Sequence, residues 1–319
     1  MKLFYQLMLI VGLAGLLVAC DRSEKPLDVI HQQPAFVTQK GNKYTIAQDD
    51  TQLTVVADIG GRISSLKVAG QEMLFTADLT HTMVWGGTFW SSPQSDWFWP
   101  PVAALDSGPY KVSLDNDHII FTSAVDETTG YQFVKNYGVN QNKKCLSVKY
   151  SIYNRSNVEK NVAAWEVTRV PPKGTVFFPQ GDTEASFGIF YPIVVESIRE
   201  ISWFTYDASK ILDNHHKINT DGKEGWLAYA NNGYLLVKEF NDVPVELVAA
   251  GEGEIELYVN DQKTYMELNQ QSALVTLAPG EHLDWEVLWH TRKLPADMKV
   301  VNGNEELVRY VHSVLNGSN

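Results

Sequence analysis

Between residues 43 and 291 the chain repeats one pattern: short runs rich in Val, Ile, Tyr, Phe and Thr, mostly alternating in polarity and broken by turn residues. A period of two puts successive side chains on opposite faces, as in a half-buried strand. On this basis Lys43–Gln48, Gln52–Ala57, Arg62–Val68, His118–Ala124, Tyr131–Val139, Cys145–Tyr153, Gly225–Ala230, Tyr234–Phe240, Val245–Ala249, Glu254–Asn260, Thr264–Leu268, Ala273–Leu277 and Leu283–Thr291 read as strands. Asn231-Asn232-Gly233 supplies residues that tolerate positive φ and reads as a hairpin turn. Only Glu305 to Leu315 has a helical period, with Leu307, Val308, Val311, Val314 and Leu315 on one face. The pattern predicts an all-β chain: a large antiparallel β-sandwich with a short C-terminal helix packed on it. All-β domains of this size need not divide, so residues 36–319 are expected to form one domain.

The N-terminus follows other rules. Met1-Lys2 is a short basic start, and Leu7 to Val18 is an apolar stretch too short to span a bilayer comfortably. It ends in Leu17-Val18-Ala19-Cys20, which resembles the lipobox of bacterial lipoproteins. The resemblance implies a signal peptide over residues 1–19 and a lipidated thiol at Cys20. A tether over residues 20–35, polar with two prolines, would follow. The chain is then expected in a bacterial cell envelope, lipid-anchored to the membrane and facing the periplasm. Asp21 resembles a signal for inner-membrane retention. Acylated Cys20 leaves Cys145 without a partner, so no intrachain disulfide is expected. The net charge of -12 repels phosphate backbones and argues against nucleic acid as a partner.

Two distant segments carry a further resemblance. Asp58-Ile59-Gly60-Gly61-Arg62-Ile63-Ser64-Ser65-Leu66, followed by Gly70-Gln71-Glu72-Met73-Leu74, resembles the opening hairpin of galactose mutarotase-like (aldose 1-epimerase-like) proteins. Tyr265-Met266-Glu267-Leu268, then Leu277-Ala278-Pro279-Gly280-Glu281 and Trp285 to Trp289, resembles that superfamily's closing block. Between them, Gly86-Gly87-Thr88-Phe89-Trp90 through Pro93-Gln94 looks like a loop of hexose-6-phosphate epimerases. The resemblance covers the chain from about residue 36, and the lipobox sets it on a lipoprotein branch of that superfamily.

The resemblance implies a sugar site. Mutarotation needs a base for the proton of O1 and an acid for the ring oxygen. Glu267 matches the position of the family's base. It lies between Met266 and Leu268, so it points away from both. The family's acid is a histidine, but the matching block Ala163-Ala164-Trp165-Glu166-Val167-Thr168-Arg169 has none. Glu166 is the candidate acid there, and Arg169 a candidate sugar-binding residue. Arg62 matches a family arginine that reaches sugar hydroxyls, although such a residue also suits a surface turn. His81 is a substitute acid or a loop histidine. Independently of the resemblance, Trp85 to Pro101 reads as a Gly- and Pro-punctuated loop holding Trp90, Gln94, Asp96, Trp97, Phe98 and Trp99. Flat rings stack on the C–H faces of pyranoses, and the polar groups suit hydroxyls. Three successive aromatics cannot share one strand face, so at least one of residues 97–99 is expected to pack inward. His215-His216 would point to opposite sides of a strand, so no metal site is expected, nor any cofactor.

Three readings remain open on these residues. The first is a binder of a sugar or oligosaccharide with aldose-epimerase chemistry. The second is a non-catalytic glycan- or protein-binding envelope module. The third is a glycoside-cleaving enzyme using Glu166 and Glu267, whose carboxyls would then stand roughly 5–9.5 Å apart.

Overall fold

The computed structural model describes residues 37–76, 84–115 and 118–317. The expected signal peptide and tether, with Cys20 and Asp21, and His81 lie outside the described residues. Among the described residues the strands form two sheets, of twelve and ten members, as the alternation requires. Neighbouring strands run antiparallel except Tyr191–Pro192, which lies parallel to His216–Thr220. The sheets pack face to face, burying one face of each. Ile46, Leu53, Phe89 and Leu268 of the larger sheet meet Phe121, Phe133, Tyr150 and Trp289 of the smaller one. Phe89 and Tyr150 stack across the interface with ring centroids 4.2 Å apart.

The C-terminal helix spans Glu305–Leu315, as its periodicity predicts. Asn304 caps it, accepting a bond from the Glu306 N–H at 3.0 Å. Leu307 and Val311 pack against Phe177, Trp203 and Trp226, covering a second apolar cluster on the smaller sheet.

The structure differs from the sequence reading in several places. Val37–Lys40, Lys111–Asp115, Lys160–Val170, Thr175–Pro179, Ile201–Thr205 and His216–Thr220 are strands that the alternation did not single out. Val245–Leu247 is a turn of 3-10 helix rather than part of a strand, entered from Pro244 at φ -53. Trp85 to Pro101 is not all loop, because Gly87–Ser92 is a central strand with every residue buried. A strand covered on both faces loses the apolar–polar alternation that would betray it.

The Gly60-Gly61-Arg62 turn ties the sheets together. Lys135 Nζ donates to Gly60 O at 2.6 Å and the Tyr137 hydroxyl to Gly61 O at 2.9 Å, both reaching from the smaller sheet. Gly60 has φ +68, and a Cβ there would sit 1.8 Å from Asp106 O, so only glycine fits.

Candidate functional site

The outer face of the larger sheet carries a cavity of about 510 Å³. Five adjacent strands floor it, in the order Gly87–Ser92, Lys160–Val170, Met266–Gln271, Ile255–Val259 and His216–Thr220. Register fixes which side chains meet. Arg169 lies opposite Glu267, Glu267 opposite Tyr258, and Tyr258 opposite Lys217, so these four form one row across the sheet. Trp90 lies opposite Trp165, and Glu256 opposite Asn269, on the same face.

The floor holds two carboxyl groups sharing one donor. Asn269 Nδ2 donates to Glu256 Oε1 at 2.9 Å and to Glu267 Oε2 at 3.1 Å. Each acid also has its own cation: Arg169 Nε lies 2.9 Å from Glu267 Oε1, and Lys217 Nζ 2.6 Å from Glu256 Oε2. Burial drives the Glu256 carboxyl up to about 7, with Lys217 opposing and Glu267 adding to the rise. Lys217 titrates above its ordinary range: burial pulls it down, but Glu256, Glu252 and Glu267 outweigh burial. The site thus contains one carboxyl able to give and take a proton at neutral pH beside one held by an arginine.

Aromatic rings form the wall. The Arg169 guanidinium lies 5.4 Å from the Trp90 ring and 5.8 Å from Tyr265. Trp90 Nε1 donates to Asp106 Oδ1 at 2.7 Å, and Thr88 Oγ1 donates to the same oxygen at 2.8 Å. Arg62 closes this network at 2.7 Å from Asp106 Oδ2. Burial raises the Asp106 carboxyl, but Arg62, Trp90 and Thr88 together hold it below its usual range.

Five of the ten candidate residues of the sequence reading line the cavity: Trp90, Gln94, Trp99, Arg169 and Glu267. Four stand elsewhere. Glu166 projects into the sandwich interior, because it neighbours the cavity-facing Trp165 on the strand and must point the other way. There its Oε1 meets Lys238 Nζ at 2.6 Å and its Oε2 accepts from the Tyr150 hydroxyl at 2.8 Å. It is not the acid of this cavity, and Glu166 and Glu267 do not face each other across a cleft. Arg62 reaches Asp106 and stacks 4.9 Å from Trp85, so it positions Trp90 instead of lining the cavity. Asp96 is exposed outside the cavity. Trp97 packs inward, its ring 5.6 Å from Trp90 and its Nε1 donating to Ser91 O at 2.9 Å. The tenth, His81, lies outside the described residues.

The sequence reading missed Glu256, Lys217, Tyr258, Asn269 and His215. His215 lines the cavity with its Nδ1 2.5 Å from the Tyr258 hydroxyl. His216 turns away, its Nε2 accepting from the Leu212 N–H at 3.1 Å. The opposed orientation of the two histidines was readable from strand parity; the cavity at one of them was not.

Two stacked antiparallel sheets, with this cavity on the outer face of the larger one, make up a β-sandwich of the galactose mutarotase-like fold. More narrowly, the profile of the domain of unknown function DUF4380 matches residues 42–292, and the chain belongs to that family. A galactose mutarotase-like protein from Lactobacillus casei superposes with a TM-score of 0.56 at 13% identity, over 78% of this chain and 100% of that one. A putative aldose 1-epimerase from Escherichia coli K12 gives 0.54 at 13% identity, over 79% and 99%. A TPR-domain containing protein from Parabacteroides distasonis gives 0.57 at 15% identity, over 82% of this chain but 49% of that one, so this chain spans about half of that protein. At these identities the likeness is one of fold. No curated protein sequence matches.

Proposed function

We propose that the chain binds a carbohydrate in this cavity and that Glu267 and Glu256 act as an acid–base pair on its anomeric centre. The observation that carries the reading is a pair of unsatisfied donors. Arg169 Nη1 and Trp165 Nε1 are buried without a hydrogen-bond partner, on side chains that line the cavity. Such donors are costly to leave unpaired, and a polyhydroxylated ligand satisfies them. Rings of Trp90 and Trp165 beside carboxyl and cationic groups suit the C–H faces and hydroxyls of a sugar. In the reaction Glu267 takes the O1 proton while Glu256 gives its proton to the ring oxygen as the C1–O5 bond opens. Closure on the other face of C1 returns both protons. Glu256 takes the role that the sequence reading gave to Glu166.

Saturation-transfer NMR on α-glucose and α-galactose tests the chemistry. The acid must be protonated, so kcat/KM is expected to fall as the pH rises through about 7, and Glu256→Gln is expected to abolish that inflection. An inflection surviving in Glu256→Gln removes Glu256 from the reaction. No rate gain over buffer removes the catalytic reading and leaves sugar binding, measured by calorimetry.

The envelope location is likewise a proposal, supported by the lipobox-like Leu17-Val18-Ala19-Cys20. Cys20→Ser is expected to move the protein from the detergent phase to the aqueous phase on cell fractionation. Unchanged partitioning would remove the anchor.

A further inference from the structure

We infer that the cavity takes a glycan of at least two sugar units: one over the Glu256–Glu267 pair, the preceding one stacked on Trp99. This inference rests on the carbohydrate reading above. Width is the first argument. Lining residues come from five adjacent strands, Trp90 at one side and Lys217 at the other. Four strand spacings make about 19 Å. One pyranose ring covers about half of that at most.

The aromatic rim is the second. Trp99 lines the cavity yet is 55% exposed, and Phe98 beside it is 75% exposed. Adjacent exposed rings at the edge of a cavity form an apolar patch of the kind that marks a ligand-binding groove. These two are held out by built structure. Trp97 is pinned by its bond to Ser91 O. Phe98 has φ +51, an unfavourable backbone conformation for a bulky residue. Trp99 then stands nearly perpendicular to Trp90, with ring centroids 6.1 Å apart, and is not stacked on it. Before them, the Gln94 N–H donates to Glu252 Oε1 at 3.0 Å, and Ser92 Oγ donates to Gln271 Oε1 at 2.6 Å. The segment is thus fastened to the floor at its start and presents a flat ring at its end.

The arrangement sets the direction of the chain. The reducing-end unit, which alone has a free anomeric hydroxyl, lies over the carboxyls. The rest of the glycan leaves over Trp99.

Calorimetry with glucose, galactose and the α1→4 and β1→4 disaccharides of each tests this. At least one disaccharide is expected to bind about tenfold tighter than its reducing-end monosaccharide. Trp99→Ala is expected to erase that gain while leaving monosaccharide affinity within about twofold. The ring is largely exposed, so the variant is expected to keep its fold, as circular dichroism would confirm. Disaccharides binding no tighter than monosaccharides, or Trp99→Ala weakening both equally, overturns the second subsite and leaves the first intact. Silence from every sugar on the unaltered protein removes the carbohydrate reading itself.

Discussion

Glu267→Gln is expected to cut the anomerisation rate by about 10²–10⁴-fold, the usual contribution of a positioned general base. The substitution keeps the shape of the side chain and an oxygen for Arg169 Nε, now 2.9 Å from the carboxylate. It removes the charge and the basicity. Arg169 is then a buried cation without a full counter-charge, so some stability is lost as well. The readouts must therefore be separated. kcat should collapse while the sugar dissociation constant changes less than about tenfold and the variant melts cooperatively. A fall in kcat smaller than tenfold in a folded variant would show that Glu267 is not the base. Loss of binding with no separate loss of turnover would assign it to substrate positioning.

The second large effect belongs to the interior. Lys238→Met alone, or Glu166→Leu alone, is expected to cost about 3–5 kcal/mol in urea unfolding, because each leaves an unpaired charge between the sheets. Lys238 and Glu166 are 1% and 0% exposed, and their contact at 2.6 Å joins the smaller sheet to the larger. The Tyr150 hydroxyl and Trp289 Nε1 donate to Glu166 Oε2 at 2.8 and 3.2 Å. Gln270 and Thr168 complete the cluster. The double substitution is expected to lose far less than the two single losses added together. It restores charge balance, leaving about 1–3 kcal/mol for donors that have lost their acceptor. Additive losses would show that the two charges are not coupled. Glu166→Gln in folded protein should also leave any sugar turnover within a few-fold, in contrast to Glu267→Gln.

Glu166 shows why the site was only partly legible. Its strand, Lys160–Val170, is buried on both faces from Val162 onward. Alternation therefore fixes that Glu166 and Trp165 oppose each other, but not which one faces the core. Glu267 was reached because a family resemblance supplied the face. Glu256 lay inside a predicted strand, and parity put it on one side with Tyr258. Nothing local told which strand would lie next to it. Arg62 was found as a special residue, and the structure gave it another partner, Asp106, 44 positions later in the chain.

By itself the sequence determined the β class, several of the hairpins, the C-terminal helix and the tendency of residues 97–99 to split between core and surface. Each of these depends on neighbours a few residues apart, where side-chain period and turn chemistry act. The tertiary structure alone decided that Gly87–Ser92, Lys160–Val170, Met266–Gln271, Ile255–Val259 and His216–Thr220 lie side by side. That order, out of sequence, sets Glu256 beside Glu267 and leaves Arg169 and Trp165 donors facing an open cavity. Strand pairing is a contact between distant residues, and its register follows from how two whole faces pack, which no local period encodes.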